Sequence, residues 1–179
     1  VVNVNHVALG TSKVRDGNWR FAELGTADLT YAALRVPNGV MPPELCQRVI
    51  ANLCYANLST ADLTDAYLGN ADLTGANLTG AYLGNANLRY ADLTGADLRY
   101  ADLTYADLSN ADLSNANLFN ANLTNANLSA ANFTYAYLIA ADLVCSDLTG
   151  FNLSNANLSY ASLLYANLRI AYLINGKLT

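Results

Sequence analysis

The amino-acid sequence predicts an all-β solenoid, in which the chain winds through short stacked coils. A repeat of five residues runs from residue 51 to residue 175. Its central slot is leucine except at Phe133, and its first slot is alanine except at Ser146 and Phe151. Glycine and asparagine recur in the last slot, and both residue types tolerate a left-handed turn conformation. Such an internal repeat determines the fold class before any other signal.

A five-residue period fits neither a helix nor a flat strand. On an α-helix, successive leucines would step by about 140° around the axis and leave no apolar stripe to bury. In a flat strand, side chains alternate, so an odd period would place successive leucines on opposite faces. We therefore expect a short extended segment with alanine and leucine pointing inward and aspartate or asparagine outward. A two-residue corner then turns the chain into the next pentad.

Composition favours one domain over residues 1–179. The chain is 53% hydrophobic and 13% charged, which suits a compact core. The net charge of -5 argues against direct nucleic-acid binding, which depends on Lys and Arg at the phosphates. No apolar run approaches the roughly 18 residues of a membrane span. The start has no signal-peptide pattern, so a cytoplasmic location is expected; removal of an upstream export signal would instead imply periplasm or thylakoid lumen.

The repeat resembles that of the pentapeptide-repeat proteins. Their consensus of alanine, aspartate or asparagine, leucine and two variable residues is written plainly in "ADLTGADLRYADLTYADLSNADLSN", residues 91–115, in a form typical of cyanobacteria. This resemblance implies a right-handed quadrilateral β-helix with four pentads in each coil. The register continues more weakly through residues 1–35, which predicts about eight coils in all.

One inserted loop, residues 37–50, interrupts the register and shifts its phase by one residue. Within it, "PPELCQRVI" has proline and glutamate at an early helical turn, which favours a short helix. Loops on regular scaffolds often carry specificity, so we expect this loop to contact a partner. The candidate contact residues are Pro37, Asn38, Met41, Pro43, Glu44, Gln47 and Arg48.

Aspartates in the second slot form a further candidate partner surface. With four pentads in each coil, Asp72, Asp92 and Asp112 stack on one face. Asp97, Asp102 and Asp107 fall on the other three faces. A flat ladder of carboxylates lacks the six to eight convergent oxygens that calcium takes, so no metal site is predicted. Asparagine occupies the same slot elsewhere, which indicates that the slot selects local hydrogen bonding more than charge.

Aromatic residues allow two interpretations. Tyr100 and Tyr160 are expected to share one face, and Tyr105 and Tyr165 another, each pair three coils apart. Tyrosine is typical of interfaces, but exposed corners explain these positions equally well, and the corner interpretation is favoured. Inside the coil, Phe151 is expected to overfill an alanine slot, with Phe133 of the preceding coil as its packing companion.

Signatures of an enzyme are absent from the sequence. The single histidine, His6, has no neighbouring ligand set, and no P-loop, GxSxG or HExxH motif occurs. We therefore predict no catalytic residue, no cofactor and no bound metal. Cys46 and Cys54 could form a disulfide if the loop folds back, whereas Cys145 is expected to be a free thiol.

These observations predict a non-enzymatic module for protein interaction or scaffolding, whose protein partner the sequence does not specify. The family resemblance implies one alternative, a DNA mimic that binds DNA gyrase and confers fluoroquinolone resistance. The C-terminal pentads carry no capping helix and place Ile170 and Ile174 near an uncapped coil edge. Such edges pair readily with another chain, which predicts a homodimer through the C-terminal coils.

Overall fold

A computed structural model of the chain describes residues 53–177, and these form a solenoid of about six coils. The described residues contain no helix and no strand longer than one bridge residue. In each pentad, the second slot is a bridge residue and the fourth and fifth slots are a turn. The bridges are parallel and join residues twenty apart, from Asn57 with Asn77 to Asn157 with Lys177. Four pentads therefore make one coil, and the predicted quadrilateral β-helix is confirmed.

Backbone hydrogen bonds hold each pentad to the coils on both sides. The second-slot N–H donates to a first-slot carbonyl of the preceding coil, and the third- and fifth-slot N–H groups donate to the following coil. The Leu93 N–H, for example, lies 2.7 Å from the Asp112 carbonyl oxygen. The first-slot N–H closes the turn, as where the Ala96 N–H donates to the Leu93 carbonyl at 2.9 Å. Four of the five N–H groups are thus bonded to backbone.

The corners explain which residues occupy the last slot. Every fifth-slot residue from Tyr55 to Asn175 has a positive φ, between 55° and 67°. Glycine and asparagine adopt this conformation readily, as predicted. Tyrosine nevertheless occupies the slot seven times. A left-handed conformation costs an ordinary residue about 1 kcal/mol or more, which the surrounding ladder must offset.

Alanine and leucine fill the interior. The leucines and alanines from Leu53 to Leu158 form one continuous buried cluster. Phe151 occupies an alanine slot and lies against Phe133 of the preceding coil, with 4.5 Å between ring centroids, so this predicted contact is confirmed. At the other alanine exception, the Ser146 hydroxyl donates to the Leu143 carbonyl at 2.7 Å. The hydroxyl is therefore satisfied inside an apolar core.

Four flat faces result from this winding, and each is named by its column of second-slot residues. Face 1 begins at Asn57, face 2 at Asp62, face 3 at Tyr67 and face 4 at Asp72. Faces 1 and 3 are opposite, as are faces 2 and 4, and each corner is shared by two adjoining faces. The predicted N-terminal coils, the 37–50 loop with its helix, and Cys46 lie outside the described residues and stay predictions.

Candidate functional site

The outward aspartates take part in the backbone hydrogen bonding of the turns. In Asp72, Asp92 and Asp112, the Oδ1 atom accepts the backbone N–H two residues later, at 3.0, 2.9 and 2.9 Å. Asn122 makes the same bond at 3.0 Å. This bond satisfies the fourth-slot N–H, the one group in the pentad that the backbone ladder does not use. Because either residue type supplies the oxygen, the geometry supports the interpretation that the slot selects hydrogen bonding over charge.

Asp72, Asp92 and Asp112 do stack in consecutive coils of face 4, where parallel bridges join them. The ladder then continues as asparagine, because the Asn132 Nδ2 donates to the Asp112 Oδ1 at 3.1 Å. The other aspartates of the 91–115 run lie on the other three faces, as expected. No cluster of His, Cys, Asp and Glu suited to a metal ion occurs among residues 53–177. The three aspartates form a column of negative charge on face 4.

Charge is divided unequally among the four faces. Within residues 53–177, the pentads of faces 2 and 4 each carry three second-slot aspartates and no cation, while arginines lie at the corners that these faces share with faces 1 and 3. On face 1, the Asp97 carboxylate accepts bonds from the Arg99 Nε and Nη2 at 2.6 to 3.0 Å. On face 3, the Arg89 Nε lies 3.9 Å from an Asp107 carboxylate oxygen. The solenoid thus has two opposite faces with three second-slot aspartates each, separated by two faces that each contain one aspartate–arginine pair.

Three groups of the described chain have shifted pKa values, and the pKa of Arg99 is raised by its hydrogen bond to Asp97 and by the charge of that carboxylate. Partial burial works to raise the pKa of Asp97, but the hydrogen bonds and positive charge of Arg99 outweigh it and hold the pKa below its usual range. Burial, followed by the charges of Asp72 and Asp92, raises the pKa of the Cys54 thiol. A raised pKa keeps a thiol protonated and poorly nucleophilic, so Cys54 is not set up as a catalytic nucleophile.

Exposed tyrosines gather on face 2 and its two corners. Five of the ten exposed tyrosines of the described chain lie there, namely Tyr82, Tyr100, Tyr105, Tyr160 and Tyr165. Face 1 with its corners also has five, but among the described residues only face 2 has tyrosines at both of its corners in the same coil. Tyr100 and Tyr160 lie on one corner and Tyr105 and Tyr165 on the next, and both corners border face 2, because the corners before and after a pentad both adjoin its extended segment. This grouping was missed in the sequence, although the twenty-residue register and the shared corners would have shown it.

One tyrosine of this group, Tyr100, packs against a further aromatic residue. The Tyr100 ring meets Phe119 of the following coil edge-on, with 5.7 Å between centroids and an interplanar angle of 85°. Edge-to-face packing of this kind is favourable for aromatic rings. The Tyr100 side chain is therefore held at the corner although 58% of its surface is exposed.

Face 4 carries a shallow depression of about 360 Å³ near the C-terminal end. Its lining residues are Gly150, Asn152, Ser154, Tyr172 and Ile174. The lining supplies amide, hydroxyl and apolar groups and holds no carboxylate, thiol or imidazole.

Apolar side chains are exposed in the last described coil. Leu168 and Leu173 occupy core slots but are 40% and 42% exposed, and Ile170 and Ile174 are 69% and 61% exposed. In preceding coils the equivalent leucines are buried.

No helix suited to crossing a membrane occurs among residues 53–177.

Comparison with known proteins identifies the repeat. The model of the family described as pentapeptide repeats matches eight copies, at residues 51–80, 76–115, 111–150 and 136–173. No curated protein matches the chain. Among solved structures, a pentapeptide repeat protein from Nostoc PCC 7120, alr5209, is 40% identical over 55% of this chain and 75% of its own, with a TM-score of 0.39.

HetL, a pentapeptide repeat protein involved in heterocyst differentiation regulation in the cyanobacterium Nostoc sp. strain PCC 7120, is 31% identical over 88% of this chain and 78% of its own, with a TM-score of 0.44. Trypsin-treated QnrB1, a plasmid-mediated fluoroquinolone resistance protein, is 21% identical over 99% of this chain and 86% of its own, with a TM-score of 0.62. The likeness to QnrB1 shows a shared fold alone. From the family match, which covers more than half of its residues, the chain belongs to the pentapeptide repeat family.

Proposed function

We propose that the protein is a non-enzymatic module for protein interaction or scaffolding. The observation that carries this proposal is that each slot of the pentad has a separate structural role. Alanine and leucine form the core, and the aspartate or asparagine oxygen completes the backbone bonding, so the corner residues remain for contacts with other molecules. Ten of the twelve tyrosines in the chain are exposed in the described solenoid. Tyrosine offers a broad contact area with few rotatable bonds, which suits a binding surface.

The chemistry of the described surface supports a binding role over catalysis. Cys54 has a raised pKa, and the depression on face 4 holds no acid–base pair. Pentapeptide repeat proteins are typically structural or interaction modules. A rigid solenoid with flat faces offers extended contact surface of the kind that repeat proteins use for binding.

Affinity capture from the native host, followed by binding measurements with each purified partner, tests the proposal. We expect at least one protein to bind saturably to the intact chain. The same capture with residues 37–50 removed tests the proposed partner role of the loop, including Glu44, Gln47 and Arg48. If the intact chain and the variant without residues 37–50 capture the same proteins, the loop is not a partner site. The absence of any saturable protein partner would overturn the proposed function.

We also propose that two copies associate through their C-terminal coils. The exposed Leu168, Leu173 and Ile174 support this arrangement, because a second copy would return these side chains to an apolar environment. Light scattering at high concentration should give the mass of a dimer, and Leu168→Asp should shift it to that of a monomer. A monomeric mass for the unsubstituted chain would contradict the proposal.

A second candidate function is mimicry of DNA toward DNA gyrase. The stacked carboxylates of Asp72, Asp92 and Asp112 on face 4 support it, because a regular row of negative charges resembles a phosphate backbone. A supercoiling assay with and without a fluoroquinolone tests this candidate. Protection or inhibition that disappears when the three aspartates become asparagine would support mimicry. No effect of the intact chain on gyrase would remove it.

A further inference from the structure

We propose that face 2 is a docking surface for a cationic α-helix of a partner protein, held between two rows of tyrosine. The lower row is Tyr100 and Tyr105, and the upper row is Tyr160 and Tyr165. This inference rests on the proposed interaction function and names the surface and the chemistry of its partner. It depends on three features of face 2: the spacing of the rows, the charge between them and the exposure of the rings.

The spacing of the rows forms a trough. The upper row lies three coils beyond the lower row, about 14 Å at the usual strand spacing of roughly 4.8 Å. In the two intervening coils, the fifth-slot residues have smaller side chains, namely Asn120 and Ala140 on one corner and Asn125 and Cys145 on the other, although Phe119 and Ile139 occupy the fourth slots of the first corner. An α-helix with its side chains is about 10 to 12 Å across and fits between the rows. The face is about three extended residues or 10 Å wide, which matches two helical turns.

Charge selects a cationic occupant. The floor of the trough contains Asn122 and Asp142, and Asp102 lies between the two tyrosines of the lower row. The Oδ1 atoms of Asp102 and Asp142 each accept a backbone N–H at 3.0 Å, which leaves the second carboxylate oxygen for a partner. Within residues 53–177, the pentads of face 2 contain no cation, and Arg99 at the corner shared with face 1 is bonded to Asp97. Lysine or arginine from a partner would therefore meet carboxylates that have no cationic neighbour on their own face.

The exposed rings add a second attraction for the same partner. Tyr105, Tyr160 and Tyr165 are 63%, 82% and 79% exposed. A Lys or Arg over a tyrosine ring is stabilised by the ring quadrupole. Face 4 has the same number of second-slot aspartates, but its bordering tyrosines, Tyr55, Tyr90 and Tyr135, do not form opposed rows. Face 2 thus combines carboxylates with paired aromatic walls, whereas face 4 offers carboxylates without them.

The probe is a dye-labelled, lysine-rich amphipathic peptide of about 18 residues, long enough to form a helix. Fluorescence anisotropy with the full chain should show saturable binding. Combined Tyr105→Ala and Tyr165→Ala substitutions should weaken it about tenfold through the loss of two rings. Combined Tyr90→Ala and Tyr135→Ala substitutions remove two tyrosines from the same slot at other corners and should change it by less than about threefold.

Two further pairs of variants test the trough and the charge separately. Ala140→Tyr places a bulky ring between the rows and should abolish binding. Ala130→Tyr places the same ring at a corner away from face 2, in a slot with the same φ of 56°, and should not affect binding. Asp102→Asn with Asp142→Asn keeps the local hydrogen bonds and should weaken binding about fivefold at low salt. The matched pair on face 4, Asp92→Asn with Asp112→Asn, should have little effect.

Several results would overturn the inference. Equal effects of the face 2 and face 4 variants would mean general attraction to acidic charge. Equal binding of a proline-containing peptide with the same charge would exclude a helical occupant, and tyrosine-dependent binding of a neutral oligosaccharide in place of the peptide would exclude a cationic one. If a purified host partner binds the intact chain and Ala140→Tyr equally well, the inference fails while the proposed function stands.

Discussion

Replacing Asp72, Asp92 and Asp112 together with asparagine should make the protein slightly more stable. In the structure, each carboxylate acts through an Oδ1 atom that accepts a backbone N–H, and asparagine supplies the same oxygen. The substitution removes three stacked negative charges without removing these bonds. It also supplies amide donors that can bond along the column, as the Asn152 Nδ2 does to the Asn132 Oδ1 at 3.4 Å.

The size of the effect follows from the spacing of the coils. Two unit charges about 4.8 Å apart repel by about 0.9 kcal/mol in water. Salt at about 0.1 M reduces this repulsion by about 40%, because the Debye length is then about 10 Å. Two neighbouring pairs therefore amount to about 1 kcal/mol. The triple alanine variant should instead lose about 2 kcal/mol, since three hydrogen bonds of about 1 kcal/mol each disappear and only the repulsion is relieved.

Urea denaturation at neutral pH, followed by circular dichroism at low and high salt, measures these differences. The asparagine variant should have the higher midpoint, and added salt should narrow its advantage. The alanine variant should have the lowest midpoint under both conditions. A triple asparagine variant that is less stable than the unsubstituted chain by more than about 1 kcal/mol would refute the reasoning, because the charge itself would then be needed, as in a cation site.

Three further predictions concern the core, the corners and the ion pair. Leu113→Ala in the middle of the solenoid should lower the free energy of unfolding by about 2 to 5 kcal/mol, whereas Leu168→Ala in the exposed last coil should cost less than about 1 kcal/mol; equal losses would contradict the packing. Gly95→Ala should cost about 1 kcal/mol by urea denaturation through backbone strain alone, because φ is +67° and no heavy atom lies within 4 Å of the added Cβ; an unchanged midpoint would contradict the left-handed corner. The pKa of Asp97 is lower in the folded protein than in the unfolded chain, so its pair with Arg99 stabilises the fold above about pH 4 and is lost as pH falls through the folded pKa. The stability difference between the unsubstituted chain and Asp97→Asn should therefore shrink at acidic pH, and a difference independent of pH would contradict the pairing.

Much of the fold could be predicted from the repeat, because inward and outward slots must alternate around a regularly placed corner. The interchange of aspartate and asparagine in the second slot indicated a hydrogen-bonding role, which the Oδ1 bonds of both residue types support. The number of pentads in a coil could not be obtained from the five-residue period, since it depends on the angle of each corner. That number came from the family resemblance, and the twenty-residue bridges confirm it.

The candidate surfaces were harder to predict, because they depend on contacts between coils. The ladder of Asp72, Asp92 and Asp112 follows directly from the twenty-residue register. The rows of tyrosine on face 2 are not evident from the repeat position alone, because a corner residue borders two faces. The pairing of Asp97 with Arg99 has a local signal, "DLR", but the same pattern does not specify which side-chain conformation the arginine adopts.

Alkylation of Cys145 in the presence of a saturating, purified host partner tests the proposed docking surface most directly. Cys145 is an exposed free thiol at the edge of the trough, between Tyr105 and Tyr165 on the same corner. Mass spectrometry would compare its rate of modification with that of a thiol introduced by Asn115→Cys, in the same slot beside face 4. Docking on face 2 predicts that the partner slows modification of Cys145 and leaves the introduced thiol unaffected. Unchanged modification of Cys145, or protection of the thiol from Asn115→Cys alone, would contradict it.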